Sequence, residues 1–357
     1  MKTVDHAQDK PRQRNRRGTQ RTTMLDVAKQ ANVSPSTVSL YLRKPDAVSE
    51  KLREKVRQVI EGLHYVPNRM AGSLAAAKSR TIAVIIPTIS NSFFARSVEA
   101  MQKVAEETGY NLLLGNSDFS PEREEELVRT FLEWSPAAMV LTGCHQNENT
   151  IGMLKAAGIP VGQTWELGAP HLGLQVGFDH TALGQSALEH LYEGGCKHVV
   201  YLGVRLNCDH RARVRADAYV KAVEAAGRHA PQVIDIPSTT EHLVQAAGTA
   251  IAGALAANKS IDGVVCSNDW LALGVLFEAQ RRGIRVPERL SVIGYGDLDF
   301  AESSIPPLTT IRPHRWQIGS KLMQALIERC ENPQDDWQDL AIDVGFDLIP
   351  RGTSRLF

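Results

Sequence analysis

The 357-residue chain lacks any apolar stretch approaching the roughly 20 residues that a bilayer-spanning helix needs, which excludes a helical membrane protein. Its first residues, Met1 to Gln20, are polar and Arg-rich without an apolar core, so no secretory signal is expected. Asp5, Asp9 and the want of an amphipathic repeat set the same segment apart from an organelle transit peptide. Cysteines are few and scattered: Cys144, Cys196, Cys208, Cys266 and Cys330 form no C-x-x-C pair. That usage excludes a disulfide framework and suits a reducing cytoplasm. The pairs Cys196-x-His198 and Cys208-x-His210 lack structural-zinc spacing, so no metal is expected. Catalytic motifs are missing too. There is no G-x-S-x-G elbow, no P-loop, no H-E-x-x-H and no G-x-G-x-x-G after the first strand. Gly294-Tyr295-Gly296 has two of the three glycines of a dinucleotide fingerprint and stops there. Neither an enzyme nor a cofactor is expected, and no repeat of about 20–50 residues marks a solenoid.

Net charge is also absent, with 40 Lys plus Arg against 40 Asp plus Glu. The zero is a cancellation. Residues 1–80 hold 17 basic and 7 acidic side chains, and residues 81–357 hold the other 23 basic and 33 acidic, giving +10 and −10. An asymmetry of that size implies two modules with different partners, the basic one suited to phosphate. The composition, 43% hydrophobic and 22% charged, is that of a globular protein with room for two or three domains.

The pattern divides the chain into a basic disordered tail (1–22), a helical head (23–66), a hinge helix and linker (67–80) and an α/β body (81–357). In the head, Leu25, Ala28 and Ala31 recur at helical spacing, and Asn32 supplies a residue tolerant of positive φ for a tight turn. Ser34 then suits an N-cap with Pro35 at the first helical position, and Val38 and Leu42 face inward. Ser49 caps a third helix with the stripe Leu52, Val56, Val59, Ile60 and Leu63. Three short helices around a sharp turn make a helix-turn-helix. Beyond them, Pro67 ends the third helix and Asn68 opens a helix of about two turns containing Gly72, marginal without a partner.

From Thr81 onward short β runs alternate with amphipathic helices: Ile82–Ile86, Asn111–Leu114, Ala138–Leu141, Val199–Leu202, Gly263–Cys266 and Ser291–Gly294 are strands. This rhythm predicts a doubly wound parallel-sheet body, long enough for two lobes with a ligand crevice between them.

Met24-Leu25-Asp26-Val27-Ala28, Ala31-Asn32-Val33-Ser34 and Ser36-Thr37-Val38-Ser39 resemble the N-terminal signature of the lactose/galactose-repressor family of bacterial transcription regulators. The resemblance continues through Val48-Ser49, Tyr65-Val66-Pro67-Asn68, Ser267-Asn268-Asp269, Val292-Ile293-Gly294-Tyr295 and Pro306-Pro307-Leu308-Thr309-Thr310-Ile311. Val176-Gly177-Phe178-Asp179 and Tyr201-Leu202-Gly203-Val204-Arg205-Leu206 look most like the gluconate-repressor branch. The resemblance implies a homodimeric regulator, a repressor by default, on a pseudo-palindromic double-stranded operator, with each second helix in a major groove. It implies a periplasmic-binding-protein-like body, with a first lobe of about 81–178 and 308–335 and a second of about 179–307 and 336–357. It carries DNA contact to Pro35, Ser36, Thr37, Ser39 and Leu40, and to Asn68, Arg69 and the minor-groove wedge Leu74 of the hinge. It carries effector contact to Asn91, Phe93, Phe94, Trp165, Arg215, Asn268 and Asp297.

Two positions depart from the family pattern. Leu40 stands where Arg is common; it either reads an apolar feature such as a thymine methyl or packs against the third helix. Gly296 stands where many relatives carry Asp, which together with an Arg from the cluster Arg211, Arg213, Arg215 favours a sugar acid over a neutral sugar. Only one of those three arginines needs to face inward. No heptad tail follows residue 351, so dimers without a coiled-coil tetramer are expected. The other readings are a sugar-binding transport protein, against which residues 23–76 argue, and an enzyme, which would need a proton-transfer pair in the crevice.

Overall fold

The computed structural model describes residues 22–67, 79–89, 92–168, 172–237, 242–335 and 337–355, and the chain divides into two compact units at Lys78/Ser79. The first unit holds α1 (Met24–Gln30), α2 (Pro35–Arg43), a 3-10 turn (Pro45–Ala47) and α3 (Glu50–Gly62). Thr23 and Asp26 form a capping box: the Asp26 amide donates to Thr23 Oγ1 at 3.3 Å and the Thr23 amide to Asp26 Oδ2 at 2.8 Å. Asn32 takes the turn at φ 49, and Ser34 Oγ accepts from the Thr37 amide at 3.1 Å ahead of Pro35. The core is Val27, Ala28, Ala31, Val38 and Val56. Two details correct the expectation. Leu25 is 65% exposed, because the helical stripe runs through Met24, Val27, Ala28 and Ala31. Ser49 starts α3 without a side-chain bond. Replacing the one α2 cap, Ser34→Ala, is expected to lower the head's unfolding free energy by about 1 kcal/mol, read as a shift in denaturant midpoint.

The second unit contains two six-stranded sheets. In the first, β1 (Thr81–Ile86), β2 (Asn111–Asn116), β3 (Ala138–Thr142), β4 (Val161–Thr164), β5 (Gly173–Gly177) and β11 (Leu340–Asp343) run parallel in the order β11-β5-β4-β3-β1-β2. In the second, β6 (Val199–Val204), β7 (Val233–Ile236), β8 (Gly263–Cys266), β9 (Ser291–Tyr295), β10 (Thr309–Pro313) and β12 (Phe346–Ile349) follow the order β12-β10-β9-β8-β6-β7. Here β12 alone is antiparallel. Strands β1, β3 and β6 are buried along almost their whole length, as strands covered by helices on both faces must be. The helices are α4 (Ala95–Glu107), α5 (Pro121–Glu133), α6 (Glu148–Ala157), α7 (His180–Glu193), α8 (His210–Ala226), α9 (Leu243–Ala257), α10 (Asp269–Arg281) and α11 (Arg315–Glu331).

The expected lobe boundaries need correction at two crossings. Thr309–Pro313, assigned above to the first lobe, pairs with β9 in the second sheet, and Leu340–Asp343, assigned to the second lobe, pairs with β5 in the first. Between them α11 packs on α4 of the first lobe, with Gly319 lying against the Ser97 carbonyl where no Cβ would fit. The chain therefore passes between lobes after β5, after β10 and between β11 and β12.

His314 joins the last two crossings. Its Nδ1 lies 2.6 Å from the Val344 carbonyl and its Nε2 3.0 Å from Asp347 Oδ2. Both acceptors favour the doubly protonated ring, so the Asp347 hydrogen bond, then the Val344 carbonyl, raise the pKa above the ordinary 6.5. A raised folded pKa adds stability that is complete below the unfolded value and is lost as pH climbs through the folded one. The His314 share of the denaturant midpoint should therefore fall between about pH 6 and about pH 8, against the opposite slope from buried neutral His180, and is read as the difference in pH dependence between the parent and His314→Gln.

Candidate functional sites: an exposed helix start and an interlobe cleft

In the head, Pro35, Ser36 and Leu40 are exposed, while Thr37 and Ser39 are half-buried. Ser34 Oγ lies 2.7 Å from Ser36 Oγ and 2.8 Å from Thr37 Oγ1, so the first turn of α2 carries a linked set of hydroxyls. Leu40, at 37% exposure, takes no part in the head's apolar cluster, whose half-buried members on α2 are Tyr41 and Leu42. Its side chain shares the outward face with Ser36, four residues earlier, as helical spacing requires. Asn68, Arg69, Leu74 and Asn91 lie outside the described residues.

In the body, a solvent-open cleft with about 660 Å³ of empty space is lined from the first lobe by Phe93, Phe94, Phe119 and Trp165, and from the second by Arg211, Arg215, Ser267, Asn268, Trp270 and Tyr295, among others. Phe93 stacks on Trp165 at 4.8 Å between centroids, and Phe94 meets the same indole edge-on at 5.0 Å. Trp165 directly follows β4 with φ 71 and is buried, so the turn out of the strand aims the indole inward. Asn268 lines the cleft while its Oδ1 caps α10 through the Leu271 amide at 3.0 Å.

Arg215 is 5% exposed, with its guanidinium 4.3 Å from the Tyr295 ring centre. Its Nη1 donates to His180 Nδ1 at 3.0 Å and its Nη2 to the Ser267 carbonyl at 3.4 Å. An accepting Nδ1 leaves the proton on Nε2, which donates to the Trp165 carbonyl at 2.8 Å. His180 is thus neutral, and burial, reinforced by Arg215, drives its pKa well down. Gly184 on α7 lets this helix pair close: a Cβ there would lie 2.6 Å from the Arg215 carbonyl. Among the described residues, four buried polar atoms of cleft-lining side chains, Asp209 Oδ1, Arg215 Nε, Ser267 Oγ and Trp270 Nε1, have no hydrogen-bond partner, although Asp209 Oδ1 is ion-paired with Arg211. Arg215 also makes no ion pair among the described residues.

Of the described effector positions, Phe93, Phe94, Trp165, Arg215 and Asn268 converge. Asp297 does not. Its carboxylate is held by Arg312 at 2.6 Å and Arg351 at 2.8 Å, because the backbone turns at Gly296 (φ 132) and directs the next side chain into the second lobe. Gly296 itself has a steric reason, since a Cβ there would meet the Phe93 ring at 3.1 Å. A second arginine was missed. Arg211 and Arg215 both face the cleft, at 7% and 5% exposure, while the Arg213 side chain is 57% exposed. Their i,i+4 spacing on α8 is the signal that places both on one face. Arg211 pairs with Asp209 at 3.1 Å.

Residues 23–68 match the family described as bacterial regulatory proteins, lacI family, and residues 188–354 match a periplasmic binding protein-like domain. The chain is 36% identical over 339 residues to the HTH-type transcriptional regulator GntR of Pseudomonas aeruginosa, covering 95% of this chain and 97% of that protein. It is 31% identical over 333 residues to GntR of Escherichia coli, covering 93% and 98%. Among solved structures, a lacI-family regulator from Silicibacter pomeroyi superposes with a TM-score of 0.86 at 28% identity, over 93% of this chain and 99% of that one. GntR from Chromobacterium violaceum gives 0.71 at 30% identity, over 77% and 99%.

Proposed function

The chain belongs to the lacI family of bacterial regulatory proteins and is a DNA-binding transcriptional regulator rather than an enzyme, and we propose that its effector is a sugar acid of the gluconate class. The observation that carries this reading is the buried Arg215, which among the described residues makes no ion pair and has no partner for its Nε, facing an aromatic wall. Burying a lone cation is costly, and a carboxylate gripped through charge-assisted bonds offsets that cost. Three arginines (205, 211, 215) against one aspartate (209) line the cleft, so its charge also suits an anion. Phe93 fills the space beside Gly296, and the stacked rings present apolar faces to the carbon chain.

A homodimer in the cytoplasm reads a pseudo-palindromic operator through Pro35, Ser36, Thr37, Ser39 and Leu40, with Asn68, Arg69 and the wedge Leu74 at the hinge. Effector binding biases the lobe arrangement and changes operator affinity by about 5–150-fold, the range of typical allosteric couplings. Gel shifts against DNA upstream of the protein's own and adjacent genes, repeated with gluconate and ketogluconate, should show ligand-dependent mobility. Calorimetry with the same compounds should find binding, and a protein that binds a neutral hexose tightly and neither acid would refute the reading.

A further inference from the structure

Beside the effector cleft lies a second, solvent-open recess with about 480 Å³ of empty space, and at its wall three side chains from three distant segments meet. His145 lies in the loop after β3, Glu166 in the loop after β4, and His210 is the first residue of α8. Glu166 Oε1 is 3.3 Å from His145 Nε2 and 2.9 Å from His210 Nδ1, and the three atoms all fall within 4.8 Å of one another. The imidazoles face each other with centroids 3.3 Å apart. Glu166 is buried, and its other oxygen accepts from the Cys144 amide at 3.2 Å, so the carboxylate is anchored with Oε1 turned to the rings. Both imidazoles are half-exposed and reachable from solvent.

We propose that His145, Glu166 and His210 form a binding site for a zinc-class divalent ion that ties the two lobes together. The separations suit it. Two ligands on a tetrahedral ion with bonds of about 2.0–2.1 Å lie about 3.3 Å apart, and Glu166 Oε1 already stands 3.3 and 2.9 Å from the two ring nitrogens, so the exposed imidazoles need only swing apart about the fixed carboxylate for both nitrogens to converge on the ion. Two imidazoles and one carboxylate select zinc, cobalt or nickel over magnesium or calcium, which prefer all-oxygen shells. Three protein ligands leave a fourth position for water, and the cavity, lined also by Glu124 and Gln146, provides the room. The nearest cation, Arg211, is already paired with Asp209. Each neutral ring offers the nitrogen now facing Glu166 to the ion by carrying its single proton on the other nitrogen, and a proton is released to solvent only from a ring that was doubly protonated beforehand.

The consequence follows from where the ligands sit. His145 and Glu166 belong to the first lobe and His210 to the second, so the ion gains its third ligand only in an arrangement that keeps the lobes this close. The metal then acts as a second input to the lobe equilibrium, and the assignment stands or falls independently of which effector fills the cleft.

The test uses the full chain, stripped of metal with a chelator, without DNA or sugar acid. Zinc titrated against a chromophoric chelator should bind at one ion per chain, and His145→Gln and His210→Gln should each weaken it at least about tenfold. Cobalt should give visible d–d bands without a thiolate charge-transfer band, because the ligands are nitrogen and oxygen. Cys208→Ser, altering the exposed cysteine beside the cavity, should leave affinity unchanged. Zinc should raise the melting temperature of the parent chain and of Cys208→Ser but not of the histidine variants, whose metal-free melts report that they fold. Failure of the parent to bind zinc at micromolar concentration overturns the proposal. So does equal affinity in the histidine variants, or loss of binding in Cys208→Ser alone.

Discussion

Arg215→Ala should abolish the response to the effector while leaving ligand-free operator binding in place. The guanidinium is the one buried cation in the cleft that makes no ion pair among the described residues, so an acidic ligand would supply its missing partner. Truncating one member of a buried charge pair costs about 2–5 kcal/mol, or roughly thirty-fold to several-thousand-fold in affinity. Arg215→Lys tests the geometry separately. It keeps the charge but loses the planar fork that also holds His180 Nδ1 and the Ser267 carbonyl, and little affinity should return. Calorimetry with a sugar acid gives the binding loss, and gel shifts with and without ligand give the regulatory one. Retained affinity in Arg215→Ala would remove the argument for an acidic effector. Lost operator binding in the absence of ligand would mean that the substitution had disturbed the body itself, since Gly184 packs on the Arg215 backbone.

Such a site was legible in part because its determinants are of two kinds. Side chains at strand ends and helix starts, such as Trp165, Asn268 and Arg215, stand next to recognisable elements, so their placement follows once the elements are found. Asp297 shows the other kind. Its direction is set by a backbone turn at φ 132 in the preceding glycine and by Arg312 and Arg351, which come from β10 and from the C-terminal segment. The φ of that glycine cannot be read from its identity alone, and the two arginines are distant in sequence.

The same division explains the fold. The apolar runs of β1, β3, β6, β8 and β9 announce themselves. Strands β4 and β5 do not, because each carries a fully buried glutamine. Gln175 Nε2 donates to Gln163 Oε1 at 2.9 Å, and Gln163 Nε2 donates to Gln146 Oε1 at 2.9 Å, so polar residues stand where an apolar pattern was sought. Strands β10 and β11 exchange lobes relative to the expectation, because sheet membership depends on pairing with β9 and β5 and not on anything within Thr309–Pro313 or Leu340–Asp343. His145 and His210 lie 65 residues apart and reveal nothing in either local context. Only the approach of the lobes brings them to one carboxylate.

Leu40→Arg should change which base pair each half-site prefers, with the rest of the preferred operator unchanged. Packing against α3 would have made the substitution a stability change. The side chain is instead 37% exposed and stands outside the head's apolar cluster, so an arginine can project from α2 without displacing core atoms. Leucine offers a base edge only apolar contact, for which a thymine methyl is the natural partner, whereas arginine offers a bidentate pair of donors that matches guanine O6 and N7. Exchanging one for the other is worth about 1–3 kcal/mol of discrimination at that base pair, or about five- to 150-fold. Selection from a randomised operator pool should therefore show a switch toward guanine at one symmetric position, with the parent's preference elsewhere intact. The head's melting temperature should stay within about 4 °C, since exposed substitutions usually change stability by less than about 0.5 kcal/mol. An unchanged base preference would mean that Leu40 faces solvent or sugar-phosphate in the complex, and specificity would then rest on Ser36, Ser39 and the hinge.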